Sequence, residues 1–201
     1  MLSAVLSLLR IVIAGIILGV IVGKLLVENP HHVKRLMPRH WRRVMRKMKH
    51  GDWVKLFSTG MATLAASIVI TFFLSNLFIT AGVALENPEE NPLRQIEAIS
   101  PFLILITANI LPIFEEWIFR AVIIDEVLRR KRSRLLAAVV SSVAFSLFHL
   151  SNPGTYPAYA LSIFPASLIL AWCYLRAGLG GSVFAHNSYN TFIIVMDAVM
   201  R

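Results

Sequence analysis

Residues 56–85 read LFSTGMATLAASIVITFFLSNLFITAGVAL, a stretch without one Lys, Arg, Asp or Glu. A helix needs about 20 apolar residues to cross the hydrocarbon core of a bilayer, and this stretch exceeds that. The rest of the chain agrees. It is 57% hydrophobic and only 15% charged, where a soluble domain runs at about 25% charged. Further apolar segments fall at 4–27, 98–126, 135–150, 156–175 and 182–200. Only helices and closed barrels satisfy their backbone in lipid. These segments are too long and too uniformly apolar for alternating barrel strands. The expected fold is all-α, a polytopic transmembrane helix bundle of about six spans. The N-terminal apolar run lacks a basic leader and a clear cleavage site, so it is read as a retained span.

The net charge is +9, and it is clustered. Nine of the 20 Lys and Arg residues lie between Lys34 and Lys55, and Arg129–Arg134 reads RRKRSR. Both clusters adjoin apolar spans, which points to anionic lipid headgroups and membrane orientation rather than to nucleic acid. Within 31–55, Trp41, Val44, Met45 and Met48 recur at helical spacing among Arg39, Arg42, Arg43, Arg46 and Lys47. That pattern predicts a basic amphipathic helix lying in the headgroup plane. The positive-inside rule places both basic loops in the cytoplasm and the acidic loop Glu86–Pro92 outside. The one cysteine, Cys173, excludes an intrachain disulfide.

Charge inside the third apolar segment needs a reason, because ionised groups in hydrocarbon are costly. The stretch PIFEEWIFRAVI, Pro112–Ile123, carries Glu115, Glu116 and Arg120. Glu116 and Arg120 are four apart on a helix, in the favourable order for an ion pair. Glu115 points about 100° away and has no local cation. Such a carboxyl suits general acid–base work. His149 lies in the fourth segment, one turn after Phe145; His186 and Asn190 lie four apart in the last. About the loop centre near Lys131, Glu115 and His149 fall at nearly the same depth of an antiparallel hairpin. Glu115 and His149 can polarise a water, and His186 and Asn190 can stabilise an oxyanion. Asn109 shares the face of Glu116 and is a candidate hydrogen-bond partner. Helix rise leaves one tension: Glu115 lies roughly 21 Å from Arg129, but His186 only roughly 10 Å from the turn at 176–181. This predicts a protruding, positively charged hairpin.

These residues form three ordered motifs: E-E-x-x-x-R (Glu115, Glu116, Arg120), F-x-x-x-H (Phe145, His149) and H-x-x-x-N (His186, Asn190). By them the chain resembles the CAAX protease and bacteriocin-processing (CPBP, or Abi) family, which includes the type II CAAX prenyl endopeptidases. The resemblance implies an intramembrane endopeptidase of the glutamic type, needing no cofactor, in a prokaryotic cell membrane with a cavity open to the cytoplasm. It implies that Glu115 and His149 activate water, that His186 and Asn190 form the oxyanion site, and that Glu116 and Arg120 support them. The implied partners are a peptide or lipidated, CAAX-like peptide substrate and membrane lipids. The chain then divides into N-terminal spans with the interfacial segment 31–55 (1–99) and a catalytic helix core (100–201).

Three other readings use the same residues. Glu115, His149 and His186 are of zinc-ligand type, so a zinc-dependent protease is one. A non-enzymatic bacteriocin-immunity or partner-binding membrane protein is the second. A proton-coupled transporter is the third, against which the lack of repeat symmetry weighs.

Overall fold

A computed structural model of the chain describes residues 2–87, 90, 96 and 99–200. Part of the acidic loop Glu86–Pro92 therefore lies outside the described residues. Helices α1 (Leu2–Glu28), α2 (His31–Lys34), α3 (Pro38–Lys47) and α4 (His50–Thr80) come first. A continuous rod follows, made of α5 (Pro101–Glu116), a π-helical segment (Trp117–Ile124) and α6 (Asp125–Lys131). Then come α7 (Arg134–His149) and α8 (Pro157–Met200). The chain is an all-α membrane helix bundle.

Four of these elements are long and apolar enough to cross a membrane: Leu8–Glu28, His50–Thr80, Phe102–Lys131 and Pro157–Val199. The six expected apolar segments map onto these four elements through two features. Helix α7 has 16 residues, about 24 Å, and is shorter than a full span of about 30 Å. Helix α8 runs on through both expected segments but breaks helical geometry at Gly178, with φ 73° and ψ −173°. Only glycine adopts that backbone region without strain. Residues 157–177 and 179–200 are thus two limbs joined at a corner.

The two limbs together make α8 the centre of the bundle, packed on α4, α5 and α7. Its contact with α4 is close because that face is small and hydroxylic: Thr59, Gly60, Thr63 and Ser67 are all buried. A Cβ on Gly60 would come within 2.5 Å of the Phe184 ring. Small residues are how membrane helices approach one another. Helix α1 is peripheral. Leu8, Ile16, Val20 and Val27 are exposed to the lipid side, and Val22 packs inward.

The amphipathic expectation for 31–55 needs correction. Pro38 cannot continue a helix begun upstream, and Met48 and Lys49 are extended. Only α3, which buries no residue, keeps the amphipathic helical pattern. Residues 50–55 already belong to the α4 span, and α2 docks into the bundle. His32 is fully buried, 3.1 Å from Glu126. Asn29 donates to Glu126 at 2.6 Å, and Trp117 Nε1 donates to the His32 carbonyl at 2.9 Å. Arg35 pairs with Asp125 at 2.7 Å, and the Tyr174 hydroxyl donates to Asp125 at 2.8 Å. One end of the bundle is therefore a polar plug that gathers residues 29–35, 125–130 and 174, next to the RRKRSR turn.

Candidate active site

The site begins with a proline. Pro112 lies inside α5 and is buried. It has no N–H for the carbonyl of Ala108, and its ring pushes that carbonyl aside. Asn190 on α8 donates through Nδ2 to Ala108 O at 3.0 Å, and Asn187 donates to Asn109 O at 3.1 Å. Two asparagines thus satisfy the carbonyls at the proline and tie α5 to α8 just before Glu115. At Trp117 the rod passes into π geometry. Single π turns in helices recur at functional sites. His186 and Glu115 meet at 3.8 Å, while His149 stays about 22 Å of helix from Arg134, so the basic hairpin beyond the site keeps its expected length.

The buried pair is present as expected. Glu116 and Arg120 are both fully buried, with Arg120 Nε 3.3 Å from Glu116 Oε2. The guanidinium donates to Ser141 Oγ at 3.0 Å and to Ser167 Oγ at 3.1 Å. It also lies 4.7 Å from the centroid of the Phe145 ring, a cation–π arrangement. Ser141 in turn donates to the Phe119 carbonyl at 2.6 Å. The other oxygen of Glu116 meets His186 Nδ1 at 3.0 Å. The carboxylate accepts, so the hydrogen sits on Nδ1 and Nε2 is left facing Glu115. Buried charges are tolerable when paired; here Arg120 Nε and Glu116 Oε2 face each other as an ion pair without hydrogen-bond geometry, and hydrogen bonds serve the other nitrogens and the other oxygen.

Above this base four of the predicted residues meet. Glu115, His149, His186 and Asn190 line one cavity of about 360 Å³, together with Tyr159 and Tyr189. His149 is set by its own helix: Nδ1 lies 2.9 Å from the Phe145 carbonyl, so Nδ1–H donates and Nε2 is the free acceptor. The Phe145 ring stacks on it at 4.3 Å and also touches His186 at 5.9 Å. Phe145 therefore contacts Arg120, His149 and His186 at once. Among the described residues, His186 is the imidazole within 4.0 Å of Glu115, at 3.8 Å. That separation is too long for a direct hydrogen bond. Asn190 Nδ2 keeps a second hydrogen for the cavity.

Not every predicted contact forms. Asn109 is not among the residues that line the cavity; it makes a helix-packing contact, donating to Leu105 O at 2.8 Å and to Thr191 Oγ1 at 3.2 Å. Among the described residues no three His, Cys, Asp or Glu side chains are grouped to hold a metal ion. Ser141, Ser167 and Asn187 complete the network without a signal of their own in the sequence, because a serine or asparagine in a membrane helix does not report what it faces.

The cavity has a direction. From Glu115 it extends toward Ala108, Asn152 and Ile194, away from the polar plug and the RRKRSR turn. His149 sits 15 residues beyond Arg134 along α7, about 22 Å. A cytoplasmic basic end and a mouth on the cytoplasm are not both compatible with this arrangement.

Comparison with known proteins agrees with the motifs. Residues 97–192 match the family described as type II CAAX prenyl endopeptidase Rce1-like. Over 150 residues, 73% of this chain, it is 28% identical to a protein of Bacillus subtilis (strain 168) named "Putative membrane peptidase YdiL". The match spans 54% of that relative's length. No solved structure matches the chain. With three motifs in order, a family match across the helices that carry them and a relative named as a membrane peptidase, the chain is similar to the CAAX protease and bacteriocin-processing family.

Proposed function

We propose that the protein is a membrane-embedded endopeptidase that hydrolyses a peptide bond with water and forms no covalent intermediate. Glu115 and the free Nε2 of His149 share the attacking water and take its proton. General base catalysis needs a group within hydrogen-bond reach or one water away, and both residues face the same cavity. His186 and the second N–H of Asn190 stabilise the oxyanion that forms on the scissile carbonyl. His186 donates there from Nε2 when it carries the second proton, with the carboxylates of Glu115 and Glu116 on either side of its ring. Glu116 and Arg120 hold His186 and do not touch substrate. The observation that carries this reading is the convergence of Glu115, His149, His186 and Asn190 from three helices on one cavity.

The substrate is a peptide presented at the membrane, and a lipidated, CAAX-like C-terminus belongs to the class tested first. No metal takes part. Purified protein is to be assayed on prenylated and unprenylated peptides, with cleavage followed by mass spectrometry. Glu115→Ala and His149→Ala should each abolish cleavage in protein that still inserts and purifies as the wild type does. Wild-type rates in both variants would remove the site from the chemistry. Stoichiometric zinc, lost to a chelator together with activity, would overturn the metal-free mechanism.

A further inference from the structure

A hydrolase inside hydrocarbon consumes one water per turnover and must replace it while substrate fills the main cavity. A second cavity of about 160 Å³ adjoins the first and shares His149, His186 and Asn190 with it. One wall belongs to α4, where Ser67, Thr71 and Ser75 recur four apart and all line this space. They continue the row Thr59 and Thr63 along the same helix face. Ser67 is 4% exposed. Its Oγ is buried in the cavity wall without a hydrogen-bond partner. Hydroxyls in membrane helices ordinarily turn back to a carbonyl of their own helix. Ser146 does so here, donating to Ser142 O at 2.8 Å. Ser67 does not. The row changes from buried at Ser67 to half-buried at Thr71 and Ser75, toward the end of α4 that leads to residues 83–87.

We propose that Ser67, Thr71 and Ser75 form a hydrated conduit that delivers hydrolytic water to His149 from behind, apart from the cavity that receives the peptide. The space is polar on this wall and large enough for several waters. An unpartnered buried hydroxyl costs free energy that a water chain recovers. The supply role rests on the hydrolytic reading of the site given above; the hydration of the conduit does not.

The test separates the two. In a Cys173→Ala background, single cysteines replace Thr71, Ser75 and Phe72, and a small sulfonated methanethiosulfonate is applied to protein in phospholipid vesicles. Phe72 is the control: it neighbours Thr71 but is 71% exposed on the lipid side. Thr71→Cys and Ser75→Cys should be modified at least about tenfold faster than Phe72→Cys, since a charged reagent travels in water and not in hydrocarbon. Equal, slow modification at all three overturns the conduit, whether or not the protein cleaves peptides. For the supply role, Ser67→Val should lower kcat by about tenfold or more with KM for the peptide unchanged. Ser67→Thr, which keeps the hydroxyl, should restore it. An unchanged kcat in Ser67→Val, or failure of Ser67→Thr to recover, overturns that role. Absence of cleavage by the wild type sinks the endopeptidase reading and leaves the thiol result standing.

Discussion

Glu115 and Glu116 are neighbours in sequence with opposite environments. Glu116 is enclosed by Arg120 and His186 and is fully buried; the Glu115 side chain is 22% exposed and faces the cavity. Removing one member of a buried ion pair leaves an uncompensated charge and costs about 3–5 kcal/mol. Arg120→Ala should therefore lower the thermal unfolding midpoint in detergent sharply and reduce the yield of inserted protein. Glu115→Ala should leave stability within about 1 kcal/mol of wild type, because a cavity-facing side chain gives up little packing. Equal loss of stability in the two variants would mean that Glu115 is part of the structural network and not poised for chemistry. The division between these residues is legible in the sequence, since helical spacing alone assigns Arg120 to Glu116. What spacing does not report is the tertiary partner. The hydrogen bond from His186 to Glu116, and the seats of the guanidinium on Ser141 and Ser167, follow from how α7 and α8 dock.

At the scale of elements, sequence reads well where the signal is local and poorly where it is a junction. Long apolar runs predict the helices. Pro38 splits the expected 31–55 helix and extended Met48 and Lys49 end it early, and Gly178 joins two expected spans into one bent element. A Cβ on Gly178 would meet no atom within 4 Å, so the cost of a side chain there is conformational. Gly178→Ala should cost about 1–3 kcal/mol, read as a lowered unfolding midpoint. An unchanged midpoint would show that the corner relaxes freely. The kink at Pro112 makes a sharper prediction. Asn190 serves the Ala108 carbonyl only because Pro112 cannot, so Asn190→Ala should cost about 1–3 kcal/mol in the wild-type helix. In a Pro112→Ala background the alanine N–H takes over that carbonyl, and the same substitution should cost little. The coupling in this double-mutant cycle measures the structural share of Asn190. If Asn190 also serves the oxyanion, its loss should depress kcat in both backgrounds. Recovery of kcat along with stability would assign Asn190 to the kink alone.

For the whole molecule, charge and cavity point to opposite ends. Glu28 meets Arg129 and Arg130, and Arg35 meets Asp125, at the end that carries RRKRSR. The cavity lined by Glu115, His149 and His186 extends toward Asn152, at the other end. Charge predicts a cytoplasmic basic end and family resemblance a cytoplasmic mouth, and neither signal reports that the two conflict. Depth along a helix can be counted, but the direction in which a cavity opens depends on which ends are sealed by packing. Here Trp117, Phe119 and Ile124 are buried below the site, so the basic end is closed. The positive-inside bias is strong, with five basic residues in RRKRSR alone, and it should decide the orientation. We therefore expect the mouth to face away from the cytoplasm. In a Cys173→Ala background, a cysteine replacing Asn152, which is exposed, should react with an impermeant maleimide on intact cells. A cysteine replacing Lys131 should react only after the cells are permeabilised. The reverse pattern would turn the molecule over, put the cavity in contact with the cytoplasm and make this chain an exception to the charge rule.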